Sequence, residues 1–264
     1  MNELLEYSRI KSETKDRKFV EALARGLDIL RAFGQRGGVL GNQDIARITG
    51  LPKPTVSRLT YTLTQLGYLT YSTRLDKYQL DSGVLALGYA YTANLHVSRI
   101  AKPYMEQMAK RVKTSVGLAT REGLSMIFVE YCRGDEAQSM RMDVGHRIPM
   151  ASSAVGRAFL AAHKPEERMV FLKLLEERTG DAWPALLEGI EQGISDYQEK
   201  GYCTSFGDWD RNVNTVGVPI RLQDDEIVCL SCGGPSYLVT EQLALETLAP
   251  QLIHVGRDII ASGA

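Results

Sequence analysis

The sequence predicts an α+β chain of two domains, in which a small helical domain with a two-stranded sheet precedes a larger domain with a mainly antiparallel sheet. Its length of 264 residues suits two domains of ordinary size. Residues 1–80 carry 13 Lys and Arg against 8 Asp and Glu, whereas the remainder carries 18 against 24. Helical periodicity dominates the basic part, and strand-like runs become frequent only after it. We therefore expect two domains that bind different partners.

Changes of pattern along the chain divide it into four segments. Residues 1–18 are highly charged with little apolar periodicity, which predicts a mobile arm. Residues 19–80 are expected to form the first domain, 81–97 a connecting helix, and 98–262 the second domain. Because no apolar run is long enough to span a membrane and no signal-peptide core is present, we expect no membrane partner and a cytoplasmic location.

Two short helices meet at a Gly-Leu-Pro corner within residues 41–69. Asn42 is a good N-cap for the first helix, and Gly50 is a residue that ends helices. Pro52 turns the chain, and a second helix is predicted to begin near Lys53. The pattern is that of two helices joined by a tight turn.

The second helix of this hairpin has an apolar stripe and a polar face. The stripe, which we expect to be buried, consists of Val56, Leu59, Leu63 and Leu66. A helix in the major groove of DNA needs short polar groups and arginine near its N-terminal half, because these reach base edges and phosphates. The residues expected to contact DNA are Lys53, Thr55, Ser57, Arg58 and Tyr61, with Arg74 further along the chain. The alternative is an ordinary helical hairpin with a solvated face.

The helix before the hairpin has two apolar faces. The face expected to complete a three-helix core consists of Val20, Leu23, Leu27 and Leu30. The other face consists of Ala22, Gly26, Ile29 and Phe33. Because two apolar faces on one short helix imply a second partner, we expect dimerisation through this helix.

Strand-prone runs follow the hairpin at residues 68–71 and 77–80, on either side of a polar tip. They predict a two-stranded wing that places Arg74 near phosphate, although a solvated surface charge explains this residue equally well. Together the helices and the wing predict a winged helix-turn-helix whose partner is double-stranded DNA.

The second half mixes strands with helices. Strands are expected near residues 115–120, 126–131, 139–143, 202–206, 213–220 and 226–232, and helices near 98–113, 166–177, 183–200 and 243–260. Because regular β-α-β order is lacking, an antiparallel sheet is expected, and such a domain can enclose a small molecule. A run of small residues after Pro149 begins another helix, which would let its backbone approach something closely.

Cysteines and histidines give no catalytic or metal-binding signature. The four histidines are scattered, and neither HExxH nor GxSxG occurs. Cys229 and Cys232 form a CxxC, but they fall in a strand-like run, where residues three apart point to opposite faces. We expect no catalytic residue, metal or cofactor. The alternative functions are a small-molecule enzyme and a redox or metal sensor that uses this pair.

Six motifs, taken in order, resemble the isocitrate lyase regulator (IclR) family of bacterial transcription factors over about residues 20–260. They are TGLPKPTVSRL at 49–59, LGYL at 66–69, YQL at 78–80, GHRIPM at 145–150, AVGRA at 154–158 and SCGGP at 231–235. The resemblance implies a winged helix-turn-helix joined by a linker helix to a GAF-like effector-binding domain without catalytic apparatus. It also implies homodimers that often form tetramers, and a small organic or aromatic acid effector that alters transcription of a catabolic operon.

The same resemblance implies a ligand pocket. Its positions fall at Ala154, Val155, Ser205, Thr215, Ser231 and Gly233. Members that resemble glyoxylate or pyruvate binders have Asp, Cys and two Ser at the last four, and only Ser231 is kept here. We therefore expect that a two- or three-carbon keto acid is not the effector. Nearby Asp208, Trp209 and Asn214 favour a larger, aromatic or hydroxylated acid, the alternative for Trp209 being a lid residue on the rim.

Overall fold

The structure of the protein is a computed structural model that describes residues 18–35, 38–134 and 142–264. The predicted mobile arm at residues 1–18 lies outside the described residues except for Lys18. The predicted strand at 139–143 lies outside them except for its last two positions. The chain forms two compact units, which divide between Asn94 and Leu95.

The first unit packs three helices around a small core and adds a three-stranded sheet and a fourth helix. Its helices are α1 (Glu21–Ala32), α2 (Asn42–Thr49), α3 (Lys53–Gln65) and α4 (Ser82–Asn94). Its antiparallel strands, in the order β1-β3-β2, are β1 (Val39–Leu40), β2 (Leu69–Ser72) and β3 (Lys77–Leu80). The core joins α1, α2, α3 and β2 through Ile29, Ile45, Val56 and Leu69. The predicted winged helix-turn-helix is confirmed.

Most of the α1 face predicted to pack on this core is exposed. Val20 and Leu23 are each 63% exposed and Leu27 is 45% exposed, and of the predicted face Leu30 packs against the core. Ile29 and Phe33, from the other face, are buried in the core. The prediction was wrong because both faces of α1 have the helical period, and periodicity alone does not decide which face meets α2 and α3. An apolar face of α1 is therefore left on the surface of this unit.

The second unit is a six-stranded antiparallel sheet covered by helices. Its strands, in the order β6-β5-β4-β9-β8-β7, are β4 (Ser115–Glu122), β5 (Ser125–Cys132), β6 (Arg147–Pro149), β7 (Cys203–Phe206), β8 (Val213–Arg221) and β9 (Ile227–Pro235). Its helices are α5 (His96–Val112), α6 (Ala154–Ala162), α7 (Pro165–Thr179), α8 (Trp183–Lys200), α9 (Glu241–Leu243) and, after a π-helical segment (Ala244–Leu248), α10 (Ala249–Ala261). The α+β class and the antiparallel sheet are confirmed. Strand β6 was not predicted, because three residues ending in proline give no alternating pattern.

Strand alternation gives the sheet two separate cores. Val116, Cys232 and Val216 lie side by side on three neighbouring strands and enter the core formed with α5 and α10. The opposite face packs against α6 and α8 and buries Phe159 and Ile190. Strands β4, β8 and β9 lie between the two cores and carry buried side chains on both faces.

The CxxC pair is divided between these cores. Cys229 belongs to the core with α6, whereas Cys232 belongs to the core with α5. Burial raises the pKa of the Cys229 thiol well above its usual value and that of Cys232 to about 12. Thiols on opposite faces of a strand do not meet in one disulfide or one metal site, which removes the geometric basis for the redox or metal alternative.

Thiol labelling tests this burial. All four cysteines are buried and free, and burial also raises the pKa of Cys132 to about 11. We expect an aromatic disulfide reagent at about pH 8 to label native protein very slowly, because burial keeps the reagent out and the raised pKa values leave little of the reactive thiolate. The same reagent should label all four cysteines in guanidinium. Rapid labelling of any native cysteine would contradict the expectation.

Candidate DNA interface and ligand cavity

The corner between α2 and α3 is built by backbone geometry. Gly41, rather than the predicted Asn42, caps α2, and its N–H donates to Asp44 Oδ2 at 3.3 Å. Gly50 ends α2 with a left-handed backbone (φ +71°), which lets its N–H bond back to the last turn at 2.9 Å. Helix α3 begins at Lys53 as predicted. The shift of the cap by one residue leaves the Asn42 side chain available for another contact.

Asn42 ties α2 to the polar side of α3. Its amide Nδ2 donates to Ser57 Oγ at 3.4 Å, and its Oδ1 lies 3.5 Å from Thr60 Oγ1. The fully buried Thr60 hydroxyl has one proton, which it donates to the nearer Val56 carbonyl at 3.0 Å. This polar contact therefore helps to fix α3 relative to α2. Sequence reasoning missed it because asparagine before a helix is read first as a cap.

The residues predicted to contact DNA lie on the surface of this unit. On α3 the exposed ones are Lys53, Ser57, Arg58 and Tyr61, and Thr55 is half-buried. Arg74 is exposed in the turn between β2 and β3. Leu66 of the predicted apolar stripe is 63% exposed, since α3 ends one residue before it. One face of α3 thus carries cationic, hydroxyl and phenol groups that are open to solvent.

A cavity in the second unit has a floor of small residues from three neighbouring strands. Ser115 on β4 pairs with Gly233 on β9, which pairs in turn with Thr215 on β8. Two residues along the strands, the next row on the same face consists of Gly117, Ser231 and Gly217. Because side chains in these rows are small, the sheet leaves space beneath α6.

The N-terminus of α6 closes one side of the cavity at short range. A Cβ added at Gly217 would lie 2.5 Å from the Ala154 carbonyl oxygen, so only glycine lets the helix come this close. Ser153 Oγ caps α6 by accepting from the Gly156 N–H at 3.2 Å. The N–H groups of Ala154 and Val155 lie in the first turn and have no intrahelical acceptor. Together with the helix dipole they make this wall favourable to an anion.

Aromatic and apolar side chains form the remaining walls. They are Phe128, Tyr131, Met142, Ile148 and Trp209. The cavity volume is about 20 Å³, room for little more than one water molecule, so a ligand with a ring enters only when a wall moves outward. No charged side chain is among the described residues that line it. The rings of Phe128 and Tyr131 meet edge to face with centroids 5.2 Å apart, an aromatic surface on which a flat ligand can pack.

A buried hydroxyl of the floor lies beside the phenol of Tyr131. Ser115 Oγ makes no well-aligned hydrogen bond to the described residues, but it interacts with the Tyr131 side chain, and this interaction opposes the rise in the pKa of Tyr131. Burial raises the pKa of Tyr131, so its phenol stays protonated and remains a donor. A polar ligand atom at this point would give the Ser115 hydroxyl a well-aligned partner.

Six of the nine residues predicted for the pocket line this cavity. They are Ala154, Val155, Trp209, Thr215, Ser231 and Gly233. The other three have side chains that bond elsewhere: Ser205 and Asn214 each donate to a backbone carbonyl at 2.8 Å, and Asp208 pairs with Arg157 at 2.7 Å. Asn214 lies in β8 beside Thr215, so alternation turns its side chain away from the cavity. These three residues hold the walls in place.

Seven lining residues were not predicted. They are Ser115, Gly117, Phe128, Tyr131, Met142, Ile148 and Ser153. Once the inner face of β4 is known, alternation along the strand predicts that residues 115 and 117 line the cavity. Alternation does not predict that Phe128 and Tyr131 both line it, because residues three apart on a regular strand point to opposite faces. An irregularity in the β4–β5 pairing at Leu118 and Ala119 adds one residue to β5 and turns both rings to the cavity.

A winged helix-turn-helix and a separate unit with a cavity of aromatic and uncharged polar side chains are the arrangement of a transcription factor that responds to a small molecule. Among the described residues no metal-binding group of His, Cys, Asp and Glu occurs, and no helix is long and apolar enough to cross a membrane. Two family descriptions match the sequence: the IclR helix-turn-helix domain over residues 22–73 and the bacterial transcriptional regulator IclR C-terminal over residues 89–261. The chain belongs to the IclR family of bacterial transcriptional regulators.

Relatives of known sequence or structure agree with this assignment. The HTH-type transcriptional regulator TsaQ1/TsaQ2 of Comamonas testosteroni is 34% identical over 92% of this chain and 88% of its own length. An IclR family transcriptional regulator from Brucella abortus superposes with a TM-score of 0.87 and 42% identity over 96% of both chains. An IclR homologue from Microbacterium hydrocarbonoxydans, complexed with 4-hydroxybenzoate, superposes with a TM-score of 0.72 and 26% identity over 90% of this chain and 97% of that chain. These relatives are named as transcriptional regulators or IclR homologues.

Proposed function

We propose that this regulator binds operator DNA through α3 and the wing, and that an aromatic acid in the cavity of the second unit switches transcription of a catabolic operon. The observation that carries the proposal is the cavity itself. It combines an anion-favouring helix N-terminus, aromatic walls and a hydroxyl without a well-aligned partner among the described residues. The regulator acts as a repressor or an activator, has no enzymatic activity and works in the cytoplasm, where its DNA partner is found.

The exposed side of α3 supports contact with DNA. Arg58 lies in the first half of the helix and is exposed beside Ser57, where it can reach a base edge or a phosphate. Lys53 at the start of the helix and Arg74 in the wing turn add cations that suit phosphate contacts. The contact set proposed is the predicted one: Lys53, Thr55, Ser57, Arg58, Tyr61 and Arg74.

The cavity supports an aromatic carboxylic acid as effector. A carboxylate at the start of α6 would accept from the free N–H groups of Ala154 and Val155. The ring would pack against Phe128 and Trp209, and a polar substituent would bond Ser115. A two- or three-carbon keto acid leaves the aromatic walls uncovered, which supports the expectation that such an acid is not the effector.

The switch needs two conformations for which the effector has different affinities. Helix α4 connects the two units covalently and is therefore the natural transmitter. We propose that the two conformations differ in the spacing of paired DNA-binding units, since operator half-sites have a fixed separation.

Exposed apolar side chains of the first unit support a homodimer. Val20, Leu23 and Leu27 form an exposed face on α1, and α4 has no buried residue, with Leu85 exposed by 74% and Tyr89 by 71%. Apolar surface of this kind usually marks an interface. We propose that a second copy of the chain covers it, and that such dimers pair into tetramers.

Arg58→Ala tests the DNA interface. If Arg58 reads a base, the variant should bind operator DNA about 1–3 kcal/mol more weakly and lose preference at one base pair. If it contacts phosphate, the loss should be similar on all sequences and the dependence of affinity on salt should fall. Fluorescence anisotropy with the DNA upstream of the gene measures both. Lys173→Ala, an exposed cation on α7, is the matched control, and equal affinities of both variants would contradict the proposal.

Calorimetric titration tests the effector class. We expect 4-hydroxybenzoate to bind and glyoxylate to show no saturable heat. Ser115→Ala should lower the affinity for 4-hydroxybenzoate by about fivefold and leave the affinity for benzoate unchanged, because one hydrogen bond is worth about 1 kcal/mol. Trp209→Ala should lower the affinity for 4-hydroxybenzoate and for benzoate by about tenfold, because the contact with the indole ring is lost. Ser195→Ala on α8, outside the cavity, is the control. Tight glyoxylate binding, or undiminished affinity in Trp209→Ala, would overturn these assignments.

Sedimentation equilibrium of the full chain tests the homodimer. Wild-type protein at micromolar concentration should be dimeric or tetrameric. Leu23→Glu should raise the dimer dissociation constant by at least about a hundredfold, because two copies of the leucine leave the interface and each is worth roughly 1.5–3 kcal/mol. Leu75→Glu at the wing turn, where leucine is 43% exposed, should leave the mass unchanged. A monomeric wild-type chain would exclude the dimer.

A further inference from the structure

Arg157 is buried although it carries a permanent charge. It lies on α6, two residues after Val155 of the cavity wall, and is only 7% exposed. Its side chain runs along α8 at two glycines four residues apart. A Cβ at Gly189 would lie 2.2 Å from Arg157 Nη2, and one at Gly193 would lie 3.0 Å from Arg157 Cβ. The groove on α8 is thus shaped to hold this arginine.

The guanidinium of Arg157 reaches the segment between β7 and β8. Its Nη1 donates to the Thr204 carbonyl oxygen at 2.9 Å and to Asp208 Oδ2 at 2.7 Å. The Asp208 side chain is 40% exposed, so the ion pair lies where the buried arginine meets the surface. Charge-assisted bonds of this kind are strong, and a buried guanidinium without its carboxylate is costly.

The same segment carries Trp209 into the cavity. Residues 207–212 form the connection between β7 and β8, and Trp209 follows Asp208 directly and lines the ligand space. The other loop carboxylate with a described bond, Asp210, accepts from the Asn212 N–H at 2.9 Å and so stays within the loop. Asp208 is therefore the loop carboxylate that anchors Trp209 to α6.

We propose that Arg157 is a positioning residue that holds the loop at residues 207–212 closed over the cavity through Asp208. The ion pair sets how long a ligand stays bound, because Trp209 must move away before a ligand trapped beneath it leaves. This inference takes the cavity as the effector site of the proposed function. It assigns to Asp208 the role of a latch in place of the ligand contact expected from sequence.

The latch is tested first without any ligand. In a Trp183→Phe background, Trp209 is the sole tryptophan, so acrylamide quenching reports the exposure of this side chain. Asp208→Ala should raise the open fraction of the loop by about tenfold, as expected on losing a charged hydrogen bond. Quenching and amide hydrogen exchange at residues 207–212 should both increase. Asp210→Ala, in the same loop but without a bond to α6, should change neither.

Ligand kinetics provide the second arm. With 4-hydroxybenzoate as the probe, Asp208→Ala should raise the dissociation rate by about tenfold with a small change in association rate. Affinity for DNA without ligand should stay unchanged and serves as the control for folding. Unchanged quenching in Asp208→Ala, or an equal rise in Asp210→Ala, would overturn the latch. Failure of 4-hydroxybenzoate to bind would instead count against the proposed effector, because the quenching result does not depend on it.

Discussion

The close approach of α6 to the central strands is the contact on which the rest of the second unit depends. Gly217 on β8 leaves room for the Ala154 carbonyl, and a Cβ at Gly156 would collide with the Met150 backbone at 2.0 Å. With the helix held this low, its first turn lies against a floor made of serine, threonine and glycine. Helix dipoles and hydrogen bonds act more strongly in buried surroundings than in bulk solvent.

The two units place their charged side chains differently. The first exposes cations on α3 and at the wing, where solvent screening keeps their attraction to phosphate dependent on salt. Among the described residues, the second lines its cavity with uncharged groups, and Arg157 on α6 forms an ion pair with Asp208. An anionic ligand would thus be held by backbone N–H groups and hydroxyls, whose placement depends on fold geometry, while the cations on the surface remain free for nucleic acid.

Local patterns in the sequence predicted much of this arrangement. Gly50 ends a helix because it adopts a left-handed backbone, and the chain restarts at Lys53, so the corner followed from two local rules. The separation of Cys229 from Cys232 followed from the period of a strand. The core face of α1 could not be predicted, since two apolar stripes are equivalent until other helices select one. The position of Phe128 depended on an extra residue in β5 that no period signals.

The sequence by itself determined most of the helices and strands, the two-unit organisation, the family and the small residues at the start of α6, because these depend on periods, caps and short motifs. Tertiary structure alone decided which polar side chains line the cavity and which hold its walls. Asp208, Ser205 and Asn214 have the chemistry of ligand contacts, yet each is engaged by a partner from a distant part of the chain. Ser115 attracted no notice in sequence and is the cavity hydroxyl without a well-aligned partner among the described residues. Hydrogen bonds between distant segments have no local signature, so only packing reveals which polar groups remain available.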